Sequence, residues 1–184
     1  TMMTHYLGYS DGDEYKVMGL APYGKPNIDL ESIIKLDVGG WNFDWSFIRS
    51  APPCKSPFEP LYSPRVAEVL GQPSRQPGTP ITEFHKDLAS SAQAATEQCI
   101  LNLVAHYSER YPELRNFCYA GGIALNCVVN GRLVETGAFD GMYVPPVASD
   151  RGLALGCAYL GAVLSGDKPQ PLNHPYWGSS VSDE

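Results

Sequence analysis

The chain is 184 residues long, 43% of them hydrophobic, with a formal charge of −7 and an isoelectric point near 5.0. That length suits one domain or two tightly joined subdomains, with enough apolar material for a real core. The acidic balance excludes a nucleic-acid surface as the main business, and no apolar run is long enough to span a membrane.

The opening TMMTHYLGYS lacks the basic start and apolar stretch of a secretion signal, and it reads as the interior of a longer polypeptide. Residues 11–26, DGDEYKVMGLAPYGKP, fit neither a clean helix nor a clean strand. From 39 to 80, aromatics and prolines alternate, which breaks helices and ladders alike and leaves short strands, turns and one helical turn over 64–70. Within this part GGWNFDWSF alternates Trp41, Phe43, Trp45 and Phe47 against polar residues, the period of a strand with one aromatic face.

Thr79-Pro80 is expected to open a long helix, with Thr as cap and Pro at the first helical position. Phe84, Leu88, Ala92, Ala95, Cys99 and Leu103 form its apolar stripe. His85 and His106 lie on this helix too far apart to share a metal, and read as ordinary surface or half-buried residues. Beyond Pro112 the order is strand (NFCYA), Gly-Gly turn, helix (IALNCVVNGRLVE), strand (GMYVPP), turn (148–152) and a small-residue helix (LALGCAYLGAVLS). Strands alternating with helices indicate an α/β domain.

Five cysteines, at 54, 99, 118, 127 and 157, are an odd number without a C-x-x-C pair, which fits reduced thiols in the cytoplasm. Cys118, Cys127 and Cys157 sit among apolar or small residues and are expected to be buried and inert.

Two turns carry candidate chemistry. Gly121-Gly122 lies between a strand and a helix, where backbone without a Cβ approaches a ligand closely and helix-start amides favour an anion; close packing explains the pair equally well. Asn126 follows one turn later, within reach of the same ligand. Asp150 sits at the start of the last helix, either as a simple cap or as an oxygen ligand for a metal. No G-x-S-x-G, Cys–His pairing or phosphate-binding G-x-x-x-x-G-K-[ST] is present.

Three segments, DEYKVMGLAPYGKP, CYAGGIALNCVVNGRL and YVPPVASDRGLALGCAYLG, taken in that order and spacing, resemble the O-carbamoyltransferases of nodulation and antibiotic tailoring. The closing PLNHPYWGSSVSDE is similar to the segment that ends that family's first domain. The resemblance covers nearly the whole chain. Its first motif is highly specific, whereas the other two are shared more loosely across the actin-like ATPase superfamily.

The resemblance implies an α/β fold, the second half of a Kae1-like, actin-like ATPase (ribonuclease H-like) domain, with a mixed sheet and helices packed on both faces. Residues 1–80 would be its irregular part, 81–168 the α/β nucleotide and metal part, and 169–184 a tail toward a YrdC-like domain. It also implies a reaction. Carbamoyl phosphate and ATP give carbamoyl adenylate in the YrdC-like domain, and the carbamoyl group passes to a hydroxyl of a small-molecule acceptor at a divalent metal, Fe(II), in the Kae1-like domain. Carried over by motif, Gly122 and Asn126 contact the adenylate, Gly121 shapes their turn, and Asp150 is the metal aspartate.

The same resemblance implies an H-x-x-x-H pair of metal ligands, which the histidines at 5, 85, 106 and 174 do not contain. The chain is therefore expected to be a fragment, inactive alone. Its partners would be the N-terminal half and YrdC-like domain of the same protein, and its bare apolar faces would favour a homodimer. Asp11, Asp13, Glu14 and Lys16 would either line the acceptor pocket or brace the 18–24 turn. Two other readings are a relative in tRNA threonylcarbamoyl modification, which the acidic charge and the opening motif disfavour, and a non-catalytic module binding a nucleotide or a partner.

Overall fold

The computed structural model describes residues 1–49, 60–171, 174 and 176. Cys54, nearly all of the proline-rich 51–60 and most of the closing segment, on which some of the readings above fall, lie outside the described residues. The chain divides into two compact units, Thr1–Tyr111 and Pro112–Glu184. The fold is mixed α/β. In place of one mixed sheet, the described residues hold two separate two-stranded sheets, one in each unit.

The first unit contains helices α1 (Met2–Tyr6), α2 (Glu14–Leu20), α3 (Arg65–Leu70) and α4 (Glu83–Arg110), and strands β1 (Ile34–Asp37) and β2 (Gly40–Phe43). Its core gathers Tyr6, Leu7, Phe47, Val66 and Leu88, all fully buried, around the N-terminal half of α4. The Tyr6 hydroxyl donates to the Gln72 carbonyl, and burial, followed by the nearby Tyr62, pushes its pKa up to about 12. The first part of the apolar stripe of α4 faces this core: Leu88 belongs to it, and Phe84, Ala92 and Ala95 pack against it, whereas Cys99 is buried outside that cluster and Leu103 is half-buried.

Three local expectations change. First, residues 11–26 are not irregular: α2 and a 3-10 turn at Ala21–Tyr23 occupy most of them. Their charges pair locally, Lys16 with Asp13 at 2.8 Å, Thr1 Oγ1 donating to Glu14 at 2.6 Å, and His5 Nε2 with Asp11 at 2.8 Å. The Leu61 N–H donates to His5 Nδ1, so the ring proton sits on Nε2 and points at Asp11. What holds the following loop is α4. Asp87 accepts from the Lys25 N–H (2.7 Å) and from the Asn27 side chain (3.0 Å), and Ser91 Oγ accepts from the Ile28 N–H (3.0 Å). The Lys25 and Asn27 donors hold the Asp87 carboxyl below the usual carboxylate range.

Second, the aromatic strand stops at Phe43. Asp44 accepts from the Ser46 N–H at 2.9 Å and caps a 3-10 turn at Trp45–Phe47, which sends Trp45 to solvent and Phe47 into the core. The four rings therefore share no face. The β1–β2 hairpin is clamped onto α4 instead, with Asn102 Nδ2 donating to the carbonyls of Asp37 (2.7 Å) and Gly40 (2.8 Å). The His106 ring fills the space a Cβ on Gly39 would need.

Third, α4 starts at Glu83, capped by Thr82 and not by Thr79. His85 decides the difference: its Nδ1 accepts the Thr82 N–H at 3.0 Å and lies 2.9 Å from Thr82 Oγ1. Only the neutral ring can accept there. Burial first, and then the Arg75 guanidinium, lower the His85 pKa. The stability this cap supplies is fully present above the unfolded-state value of 6.5 and is lost as pH falls through the lower folded value. His85→Ala is expected to cost about 1 kcal/mol at neutral pH. It should also flatten the fall in melting temperature between about pH 7 and pH 5. Parallel wild-type and variant melting curves across that range would contradict the assignment.

The second unit contains β3 (Asn116–Cys118), α5 (Cys127–Glu135), β4 (Gly141–Tyr143) and α6 (Leu153–Leu164). β3 and β4 pair in parallel, Asn116 opposite Gly141 and Cys118 opposite Tyr143, with α5 as the crossover that a parallel pair requires. Arg115 binds the Asp140 carboxylate (2.6 Å) and the Ala138 carbonyl (3.1 Å) at the entry to β4. The described buried apolar residues are few, Ala124, Val129, Leu133 and Ala148. Cys118, Cys127 and Cys157 are exposed, against expectation, and Cys99 on α4 is the buried thiol among those described. With so small an interior, small apolar surroundings in sequence do not translate into burial.

Candidate functional site

Both candidate turns leave the carboxyl ends of the same parallel pair, β3 running into Gly121-Gly122 and β4 into the segment that ends at Asp150. Open α/β sheets place ligands at that end, where strand connections diverge. One backbone hydrogen bond ties the two turns together, from the Gly121 N–H to the Ala148 carbonyl at 2.7 Å. Gly121 reaches it with φ +101° and ψ 168°, a conformation that a side chain would strain.

Gly122 opens a 3-10 turn, Gly122–Leu125, so the helix expected from Ile123 onward begins only at Cys127. The reason is Asn126, whose side-chain oxygen accepts the Val129 N–H at 3.1 Å and caps α5. Asn130, one turn on, donates its amide to the Ala124 carbonyl at 2.7 Å and holds the 3-10 turn from the helix side. The second Asn of the N-C-V-V-N spacing was the signal for it. Its own oxygen and the Tyr119 hydroxyl are buried without a hydrogen-bond partner among the described residues, and burial raises the Tyr119 pKa.

Asp150 is exposed and is not the cap of α6: Gly152 holds that position, Asp150 opens the 3-10 turn Asp150–Gly152 that precedes it, and the Asp150 carboxylate makes no hydrogen bond or ion pair among the described residues. The turn beneath it depends on Gly152, where a Cβ would lie 2.0 Å from the Val147 carbonyl oxygen. That is a clearance requirement, since φ there is an ordinary −83°.

Gly121 and Asp150 both line a groove of about 790 Å³, together with Tyr143, Leu153, Tyr159 and Leu160. Gly122 and Asn126 do not line it. Among the described lining residues Asp150 is the only acidic or basic side chain, and the rest are mostly apolar. An exposed, unengaged carboxylate fits one oxygen ligand of a hard or borderline cation. No cluster of three His, Cys, Asp or Glu side chains exists among the described residues, so they do not complete a metal centre by themselves. No described helix is long and apolar enough to cross a membrane.

The family model for the carbamoyltransferase N-terminus matches residues 1–159. The chain belongs to that carbamoyltransferase family. Nodulation protein NolNO of Sinorhizobium fredii is 36% identical over 187 residues, covering 97% of this chain and 25% of the relative. Nodulation protein NolO of Bradyrhizobium diazoefficiens is 34% identical over 188 residues, covering 97% of this chain and 31% of the relative. The uncharacterized protein sll1178 of Synechocystis is 34% identical over 192 residues, covering 98% of this chain and 30% of the relative. The chain thus spans between a quarter and a third of the length of these relatives. The resemblance carried by the opening motif and the two turns is borne out at the level of family.

Proposed function

We propose that the chain forms part of a carbamoyl-transfer site in an actin-like, Kae1-like domain, the part that meets the donor nucleotide and one side of a metal. In this reading the donor is carbamoyl adenylate, made from carbamoyl phosphate and ATP, and the acceptor is a hydroxyl of a small molecule. The observation that carries the reading is the convergence of the Gly121 turn and the Asp150 turn at one end of one parallel strand pair, in a chain of the carbamoyltransferase family. Gly121 and Gly122 let the nucleotide approach the backbone, and the Asn126 amide, anchored as the α5 cap, lies beside them. Asp150 supplies one oxygen ligand to a divalent cation, Fe(II) in this reading, with the remaining ligands coming from outside these residues. A cation so placed polarises the carbamoyl carbonyl or acidifies the attacking hydroxyl.

The test uses the uninterrupted reading frame that encodes the chain, expressed and supplied with ATP, [14C]carbamoyl phosphate and a panel of hydroxylated small molecules. Label moving to one acceptor, with ATP-dependent release of pyrophosphate, is the expected result. A folded protein that releases no pyrophosphate and labels nothing sinks the reading, and label arriving on tRNA as a threonylcarbamoyl group, in a parallel assay with ATP, [14C]threonine, bicarbonate and tRNA, replaces it with the tRNA-modification alternative.

A further inference from the structure

The segment between α3 and α4 carries a charge that no described carboxylate neutralises. Arg75 donates from Nε to the Leu7 carbonyl (2.6 Å) and from Nη1 to the Thr79 carbonyl (2.7 Å), and its guanidinium lies 5.0 Å from the centre of the Tyr9 ring. These contacts fix the side chain, and neutral donors could make them as well. They leave Nη2 and the second Nη1 hydrogen without an acceptor among the described residues. Arg65 and Arg115, by contrast, each bind an aspartate. A half-buried cation without a counter-charge stands out in a chain with 20 acidic residues against 13 basic ones.

His85 adds a second idle donor. Thr82 occupies its Nδ1, so the ring proton is on Nε2, and that N–H has no acceptor among the described residues. Arg75 and His85 line one groove of about 340 Å³ in the first unit, together with Gln76, Pro80 and Phe84. No acidic side chain is among its described lining residues.

We propose that this groove is a binding site for an oxyanion, the phosphate or carboxylate group of a small molecule. The Arg75 guanidinium supplies the charge and N–H donors, and the neutral His85 ring supplies one more from Nε2. Pro80 and Phe84 offer apolar wall, and the volume leaves room for the body of a small ligand beside its anionic end. The site uses no residue of the Gly121 and Asp150 turns, so it does not rest on the carbamoyl-transfer reading.

The test labels the four histidines of the 184-residue chain with 15N. Sodium phosphate and, separately, sodium acetate are titrated in at constant neutral pH, against sodium chloride at matched ionic strength. A saturable shift of the His85 Nε2 resonance is expected with at least one of the two oxyanions and not with chloride. The one that saturates at the lower concentration tells a phosphate ligand from a carboxylate ligand. Gln76→Glu puts a carboxylate on the lining without removing a donor, and the Gln76 side chain makes no described hydrogen bond. This variant should bind at least about ten-fold more weakly with no fall in melting temperature, and Arg75→Gln should abolish the shift. A His85 resonance that moves without saturating, or equally in chloride, overturns the proposal. So does undiminished binding by Gln76→Glu.

Discussion

Gly24→Ala is expected to lower the stability of the first unit by about 3 kcal/mol, seen as a fall in its melting temperature of roughly 13 °C. The backbone at Gly24 is extended, φ −119° and ψ −175°, so alanine is conformationally welcome there. Space is the obstacle. A Cβ at this position would meet the Lys86 carbonyl carbon and oxygen at 2.2 Å and the Asp87 nitrogen at 2.5 Å. These are main-chain atoms of α4 and cannot swing aside. Relief requires the loop to lift, and lifting strips Asp87 of the Lys25 and Asn27 donors that hold it. The gain from a stiffer unfolded chain, about 0.4–1 kcal/mol for Gly→Ala, is too small to compensate. Gly19→Ala is the control: it lies inside α2 with nothing within 4 Å, and should raise stability by up to about 1 kcal/mol. Circular-dichroism melts of the two variants should move in opposite directions. A Gly24→Ala melt that matches wild type would show that the loop does not rest on α4 as described.

The second large effect is functional. In the longer polypeptide of the proposed scheme, Asp150→Asn is expected to reduce carbamoyl transfer by more than about 100-fold, beyond what removing an outer-shell partner of a metal costs. The melting temperature should stay close to wild type, because the carboxylate is exposed and no described contact is lost with it. Pyrophosphate release should persist, since in the proposed scheme the adenylate forms elsewhere in the protein. Bound divalent metal, read by elemental analysis, should fall together with transfer. Undiminished transfer by Asp150→Asn would remove Asp150 from the site, and a lowered melting temperature would return it to a structural role.

Much of the second unit was legible because its signals are local. A strand ending in Gly-Gly, a second strand, and an Asp turn before a small-residue helix fix the element order within a few dozen residues. The longer reach of the first unit was not legible in the same way. α2 buries only Val17, so it has no apolar stripe to read, and its loop is ordered by Asp87 and Ser91, more than sixty residues away in sequence. The period-two pattern of Trp41, Phe43, Trp45 and Phe47 ran past its strand because periodicity does not register the bend that Asp44 imposes. Thr79 and Thr82 are equally good caps by type; His85, an unusual residue at the N3 position of a capping box, selects the second. Gly121, Gly122, Asn126 and Asp150 stood out by residue type as candidates, but the link between the Gly121 and Asp150 turns did not. A bond from one main chain to another and a clearance beneath a carbonyl leave no mark on residue type beyond the glycines that permit them.

That link makes the two turns thermodynamic neighbours. The Gly121 N–H and the Ala148 carbonyl join the glycine turn to the backbone two residues before Asp150, and Gly152 locks the far side of that backbone against Val147. In the proposed scheme a nucleotide that drew Gly121 toward itself would therefore reposition the carboxylate, and a cation that drew the carboxylate would reposition Gly121. Binding at the two places would then be heterotropic, with each ligand altering the other's affinity by the same factor. The order in which donor and cation arrive does not change that factor, and its sign states whether the loaded cation site recruits the donor or releases it.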